Sequence, residues 1–426
     1  MKPSLRMECS SHRYGSSPVA PGCDLAVLVH EFPKLSETFV LSDLLALEDR
    51  GVRLHVFSLR QPQADLAHDA VGRLRAPVEY LPEIRGRQLG LLIRAAHASL
   101  FLRDPRRYPL GLAEIYASPD YSRLRLQQAV LLARRLTQLG APPLYIHFAH
   151  KPATVGRFAA LLLGTPFAVS AHAVDVWTSP VRELRVKLRD AEVVLCCYRE
   201  AQQFLAGIVD GRTPVELVPH GVEIPSDQRR EEASPAVLLS VGRLIEKKGF
   251  DTLVRAAALL RDRGLEFRVA IAGDGPLWPT LQRLVNELEL GEFVRFLGPL
   301  THAELEERFA AATAFVLPCQ VAPDGNRDGL PNTILEAMAR GLPVVSTTLA
   351  SVQEAISDDR HGLLVTPRDP TALADALQRL LSDRSLRGRL GRAARKRIAA
   401  EHDRQQLAPR GFDALVAAGL IGGTVG

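Results

Sequence analysis

The sequence has no apolar run of eighteen residues or more, so no transmembrane helix is expected. Its opening residues lack the apolar core of a secretory signal, and residues 1–22 read as a disordered tail. C-x-x-C pairs are absent. The five cysteines (Cys9, Cys23, Cys196, Cys197 and Cys319) are scattered, which points to buried thiols in a reduced compartment and not to a disulfide framework. H-E-x-x-H and clustered His/Cys spacings are missing too, so no metal site is expected. No G-x-G-x-x-G opens either half, which argues against a nicotinamide cofactor. No nucleic-acid module accompanies the positive charge, and a nucleic-acid partner is not expected.

What is present is the composition of a globular chain, 46% apolar and 24% charged over 426 residues, too long for one core. The net charge of +5 is uneven: residues 1–222 hold 27 Lys/Arg against 21 Asp/Glu, and the remainder 26 against 27. Residues 84–135 alone carry 10 Arg against 3 acids. Within that stretch Arg alternates with Leu, Ile and Phe over residues 84–107. The pattern suits either an amphipathic helix on an anionic membrane surface or a surface helix whose Arg stems cover apolar neighbours.

Short apolar runs alternate with helical patterns along both halves. The first half reads strands at 25–32, 54–59, 144–149, 166–172, 192–197 and 215–222, with a helix over 36–51 capped by Ser36 and stopped by Gly51. The second half reads strands at 237–243, 267–275, 294–298, 314–319, 343–347 and 362–367, with a helical Arg-rich stretch at 384–402. Residues 223–235 are polar, charged and end in Pro, as a linker would. The expected fold class is α/β, with two Rossmann-like parallel-sheet domains facing across a cleft. The expected spans are 23–222 for an acceptor-binding domain and 236–402 for a nucleotide-sugar-binding domain. Residues 403–426 are expected to return to the first domain.

Ligands of such sheets sit beyond the carboxyl ends of the strands, so the loops there carry the chemistry. Arg243 ends one strand, and Lys247 and Lys248 precede the next helix; cations so placed suit a diphosphate. The turn AGDGP, with Gly273, lets the backbone approach a flat ligand, or is simply a turn. The loop Asp324–Gly329 leads to a helix opened by Pro331. The amides of Gly329 and Leu330 are free there for an anion, Asp328 lies beside them, and Glu336 follows eight residues later. Carboxylates so near an anion site should face something other than phosphate, and sugar hydroxyls fit.

The spacing acid-G-L-P-x-x-x-L-E-A-M-A-x-G-x-P-V-V resembles the Glu-x7-Glu signature of retaining GT-B glycosyltransferases of family 4, with Asp328 standing where the family has Glu. FPKLSETFV (32–40), HFA…PAT (147–154), AHAVD (171–175) and PHGVE (219–223) are similar to bacterial exopolysaccharide glycosyltransferases of the colanic-acid type. The resemblance covers roughly residues 25–400. It implies that Asp328 contacts the transferred sugar and Glu336 the ribose. It further implies that Arg243 and Lys248 hold the diphosphate, that Gly273 and the 294–297 loop line the nucleoside pocket, and that His172 lies at the reaction centre. Glu37, His147 and Asp175 are candidates for the acceptor side or the cleft.

The function so implied is retaining, metal-independent transfer of a hexosyl group from a nucleotide diphosphate sugar. The acceptor would be a saccharide or lipid-linked saccharide in exopolysaccharide or cell-surface glycan synthesis, and no cofactor beyond the donor substrate is expected. The enzyme would be cytoplasmic, peripheral on the inner membrane face if the basic helix docks. A nucleotide-sugar epimerase, a phosphorylase, or a non-catalytic sugar-nucleotide-binding assembly protein are the alternatives.

Overall fold

A computed structural model describes residues 22–34, 37–62, 69–82, 87–226 and 234–423. The expected tail lies outside these residues except for Gly22, as do Ser36, Arg85 and residues 227–233 of the expected linker.

The first sheet is built from β1 (Leu25–Glu31), β2 (Leu54–Arg60), β3 (Val78–Tyr80), β4 (Leu144–His147), β5 (Phe167–Ala171), β6 (Val193–Cys196) and β7 (Val215–Leu217). Its order is β3-β2-β1-β4-β5-β6-β7, all parallel. β1 reads as an unbroken apolar run because both its faces are covered. Ala26 and Leu28 enter one core and Leu25, Val27 and Val29 the other, and all five are at most 1% exposed.

The second sheet holds β8 (Ala236–Val241), β9 (Phe267–Ala272), β10 (Val294–Gly298), β11 (Ala314–Val316), β12 (Val344–Thr347) and β13 (Leu363–Val365), in the order β10-β9-β8-β11-β12-β13. It is parallel throughout as well. In each sheet the chain starts in the middle and reverses direction once, between β1 and β4 and between β8 and β11. These two switch points are where crevices open in doubly wound sheets.

The chain then crosses back. After the helix Arg384–Glu401, Asp403 bridges Val222, and the helix Arg404–Ala417 lies on the first domain. Phe412, Leu415, Leu420 and Ile421 share a core there with Leu44 and Val193. Among the described residues no helix is long and apolar enough to cross a membrane.

Candidate functional site

The wall from the second domain starts at its switch point. Arg243 follows β8, and a single turn, Glu246–Lys248, carries the two lysines. That turn ends at Gly249, whose φ of +68° admits few other residues. A Cβ there would lie 2.0 Å from the Pro318 carbonyl oxygen. The tight turn seats both ammonium groups on one carboxylate: Lys247 Nζ is 3.1 Å and Lys248 Nζ 2.9 Å from Asp328. Burial by itself would raise the Asp328 pKa, but Lys248 and then Lys247 outweigh it and hold it below the ordinary value. Burial likewise pulls on Lys248, and Asp328 reverses the effect, so its pKa is raised. The Cys319 thiol also reaches Asp328, at 3.6 Å, and the Ser351 hydroxyl donates to the Asp328 carbonyl at 3.0 Å. Two cations on one anion leave this pocket with net positive charge.

The structure therefore places Asp328 and Lys248 on each other, where the resemblance assigns one to sugar and the other to phosphate. The amides of Gly329 and Leu330 have no acceptor among the described residues. Gly329 is seated under Tyr198 of the first domain, and a Cβ would stand 2.7 Å from that ring. Glu336 lies on the helix Asn332–Ala339, half-buried, and no hydrogen bond to its carboxylate is formed among the described residues. Burial raises its pKa, offset in part by Arg340, which itself pairs with Glu306 at 3.0 Å. Gly273 has a reason internal to the fold: a Cβ would meet the Gly242 carbonyl oxygen at 2.0 Å, so two strand-end loops touch there.

The facing wall is aromatic. His172 caps the helix Ala173–Thr178, its backbone N–H donating to Asp175 at 3.0 Å. Asp175 also accepts the Ala149 amide and is fully buried, so it joins the ends of β4 and β5 and has no face open to a ligand. Burial pushes its pKa up to about 7 against those two bonds. The His172 ring contacts Phe39 and Phe148 at centroid distances of 4.5 and 4.7 Å and lies 5.9 Å from His147 and from His220. Its Nδ1 is buried without a partner among the described residues, and burial takes its pKa well below the ordinary histidine value. His147 stands behind it, 1% exposed, with Nε2 3.5 Å from Asp43. Glu37 sits at the start of the helix Thr38–Glu48, paired with Lys34 at 2.5 Å. Burial raises its pKa, Lys34 opposes this, and Arg243 of the other domain is near enough to act on it.

The loop before Pro331 joins the two walls. The Arg327 guanidinium lies 3.6 Å from the centre of the Trp177 ring and 3.4 Å from Glu200, both in the first domain. His220 Nδ1 meets Asn332 Oδ1 at 3.1 Å, while its ring stacks on Phe39 at 4.7 Å. Glu354 accepts the Arg199 amide at 2.8 Å and the Glu200 amide at 3.3 Å, capping a first-domain helix from the second domain. Sequence reasoning missed Phe39, Trp177 and His220. His220 lies inside PHGVE, and its position just past a strand end was the usable signal. His172, Cys197 and His220 also bring one ligand-type atom each within 4.8 Å of one another, a proximity that no linear spacing announces.

Comparison with known proteins agrees with this two-walled architecture. The family model "Glycosyl transferases group 1" matches residues 223–397. The putative colanic acid biosynthesis glycosyltransferase WcaL of Escherichia coli is 27% identical over 359 residues, 82% of this chain and 88% of that protein. A GDP-mannose-dependent alpha-(1-6)-phosphatidylinositol monomannoside mannosyltransferase of Mycolicibacterium smegmatis is 30% identical over 57% of this chain and 68% of its own length. Among solved structures, Anabaena HepE in complex with UDP and glucose superposes with a TM-score of 0.68 at 17% identity, covering 92% of this chain and 99% of that one. The fold is GT-B, and the chain belongs to the glycosyl transferases group 1 family.

Proposed function

We propose that this glycosyltransferase moves a hexosyl group from a nucleotide diphosphate sugar to a saccharide or lipid-linked saccharide, with retention, in exopolysaccharide or cell-surface glycan assembly. The observation that carries the reading is the net-positive Lys247–Lys248–Asp328 pocket at a strand-end switch point, with Arg243 beside it and His172 on the other wall. The names of the colanic-acid and amylovoran relatives support the glycan class, and HepE structures with UDP or UDP-glucose support the donor class.

Charge grows on the leaving diphosphate as the glycosidic bond breaks. Arg243, the lysine pair and the Gly329–Leu330 amides are the groups preorganised to receive it. Glu336, whose carboxylate accepts no hydrogen bond among the described residues, is open to a pair of ribose hydroxyls. Neutral His172 orients the leaving phosphate or the attacking hydroxyl. No carboxylate is assigned as a covalent nucleophile, so attack and departure are assigned to the same face of the sugar, as in family 4. The anomeric configuration of the product by NMR decides this. Glu336→Ala and Arg243→Ala are expected to lower kcat/KM by about a hundredfold or more with unchanged circular dichroism. Full activity in either would remove the site assignment. A sugar-nucleotide-binding protein without turnover would show donor binding but neither transfer nor donor hydrolysis.

The same reading places the enzyme at the inner face of the cytoplasmic membrane. Among the described residues, seven of the ten exposed large apolar side chains fall between Leu91 and Leu124, with Leu91 65%, Leu102 78% and Leu110 72% exposed. The helix Arg87–Arg103 has no acidic residue. Apolar side chains among arginines fit an anionic bilayer. Wild type is expected to float with vesicles containing phosphatidylglycerol, and Leu102→Glu with Arg94→Glu to stay behind. Equal flotation of both would refute the docking.

A further inference from the structure

The first domain has a switch point of its own, between β1 and β4, and Phe148, stacked on His150, joins it to the wall around His172. His30 is the penultimate residue of β1, and His150 follows β4 and caps the helix Lys151–Leu163. The two rings meet edge to face with centroids 5.6 Å apart. Both Nδ1 atoms are buried and have no hydrogen-bond partner among the described residues. Lys151 opens the thirteen-residue helix, and its charge acts on both His30 and His150 beside the helix's free N–H groups.

Arg125, on the helix Arg123–Gln138, is half-buried, donates to the Gln128 side-chain oxygen at 2.7 Å and has no carboxylate partner among the described residues. The charges that act most on His30 are cationic. After burial, which is the largest cause, Lys151, Arg60, Lys34 and Arg125 take its pKa down to about 4. Of the nearby carboxylates, Glu37 is already engaged. Glu37 holds Lys34, and Glu31 stands opposite Arg60 in the strand register. A half-buried guanidinium and two orphaned imidazole nitrogens, none of them bonded to a carboxylate among the described residues, are costly to bury unless an anion completes the set.

We propose that His30, Arg125, His150 and Lys151 form a second anion site that holds a phosphoryl group of the acceptor. Arg125 presents a planar fork to phosphate oxygens, each imidazole donates one N–H, and the helix start adds backbone amides. The inference rests on the glycosyltransferase reading. It narrows the acceptor to a saccharide carrying a phosphate or diphosphate, whether borne on a lipid or on a water-soluble sugar.

The probe is inorganic pyrophosphate, titrated calorimetrically into Arg243→Ala, in which the donor diphosphate site is weakened. Binding is expected to persist there. It should fall about tenfold or more when Arg125→Gln or Lys151→Gln is added, the loss of one charge-assisted contact. Thermal unfolding midpoints matching Arg243→Ala show that the fold survives. Nucleotide-sugar binding by Arg125→Gln in the otherwise native chain should be unchanged. Tighter binding of farnesyl diphosphate than of pyrophosphate identifies the lipid-borne source, and equal binding the soluble one; either supports the site. Absent pyrophosphate binding in Arg243→Ala, binding indifferent to Arg125 and Lys151, or loss of donor binding in Arg125→Gln would each overturn it. Failure of the donor reading would appear elsewhere, as a native chain that binds no nucleotide sugar.

Discussion

Asp328→Asn is expected to destabilise the second domain by about 3–5 kcal/mol and to lower kcat/KM for transfer by about a hundredfold to a thousandfold. The substitution keeps the side chain's size and removes its charge. Lys247 and Lys248, with side chains 13% and 12% exposed, would then share a pocket with no anion between them. Breaking a buried pair from one side costs more than the pair itself contributes, because the remaining charge stays desolvated. The lysines would also lose the anchor that fixes their direction, and with it the preorganised field on the leaving diphosphate.

The sign with pH follows from the Asp328 pKa, which is lowered in the folded chain. Its contribution to stability is complete above the unfolded carboxylate value and is lost as pH falls through the folded value. The urea midpoints of wild type and Asp328→Asn should therefore differ most at neutral pH and converge in strong acid. Asp328→Glu keeps the charge, and its midpoint should fall less. Equal falls for Asn and Glu would show that volume, not charge, sets the cost. The longer acid also restores the residue type that the resemblance leads one to expect at this position, so its transfer rate measures how far reach to the sugar matters.

The alternation of strands and helices was legible because buried parallel strands are uninterrupted apolar runs. The run at 25–32 became Leu25–Glu31, that at 54–59 became Leu54–Arg60, and that at 294–298 matched Val294–Gly298. Boundaries ran long wherever a strand continued into a functional loop: 267–275 ended at Ala272, and 215–222 at Leu217. The apolar pattern there belongs to packing beyond the last ladder bond. The edge strand Val78–Tyr80 was missed because its three half-buried residues carry no contrast with their surroundings.

At the site, the partners of the loop Asp324–Gly329 are distant in sequence and could not be read from it. Arg327 is occupied by Trp177 and Glu200, and Asp328 by two lysines eighty residues upstream. Acid-to-acid spacing within one segment was readable. The pairing of Asp328 with lysines of another segment, and of His30 with His150, arises only when the sheet order brings strand ends together. Asp175 illustrates the converse, since an acid at a strand end inside a matched motif is spent entirely on backbone amides.

His172→Ala is expected to lower kcat by about a hundredfold or more while moving KM for the donor little, provided the ring acts on the reacting groups and not in holding the nucleotide. The helix that follows should survive, since Asp175 bonds the residue-172 backbone amide and not its side chain. The pH profile separates a chemical role from a structural one. Burial is the largest cause lowering the pKa of His172, as it is for His147, taken to about 3, and for His220, taken to about 4. Each should be neutral across the range in which a solvent-exposed histidine titrates. The native kcat profile should then carry no limb near the ordinary histidine pKa. An acid limb there that disappears in His172→Asn would mean that the ring gains a proton in the working enzyme, and that its aromatic surroundings are more open than they stand here. A flat profile with a large loss in His172→Ala would fit a neutral imidazole that donates or accepts one hydrogen bond without changing charge. Phe39 is the check on that arrangement, because its ring touches both His172 and His220 at 4.5 and 4.7 Å. Phe39→Leu removes the platform while leaving the imidazole in place, and it should lower kcat less than His172→Ala does. A loss as large would make alignment of the ring, and not its nitrogen, the quantity that the first domain contributes to the reaction.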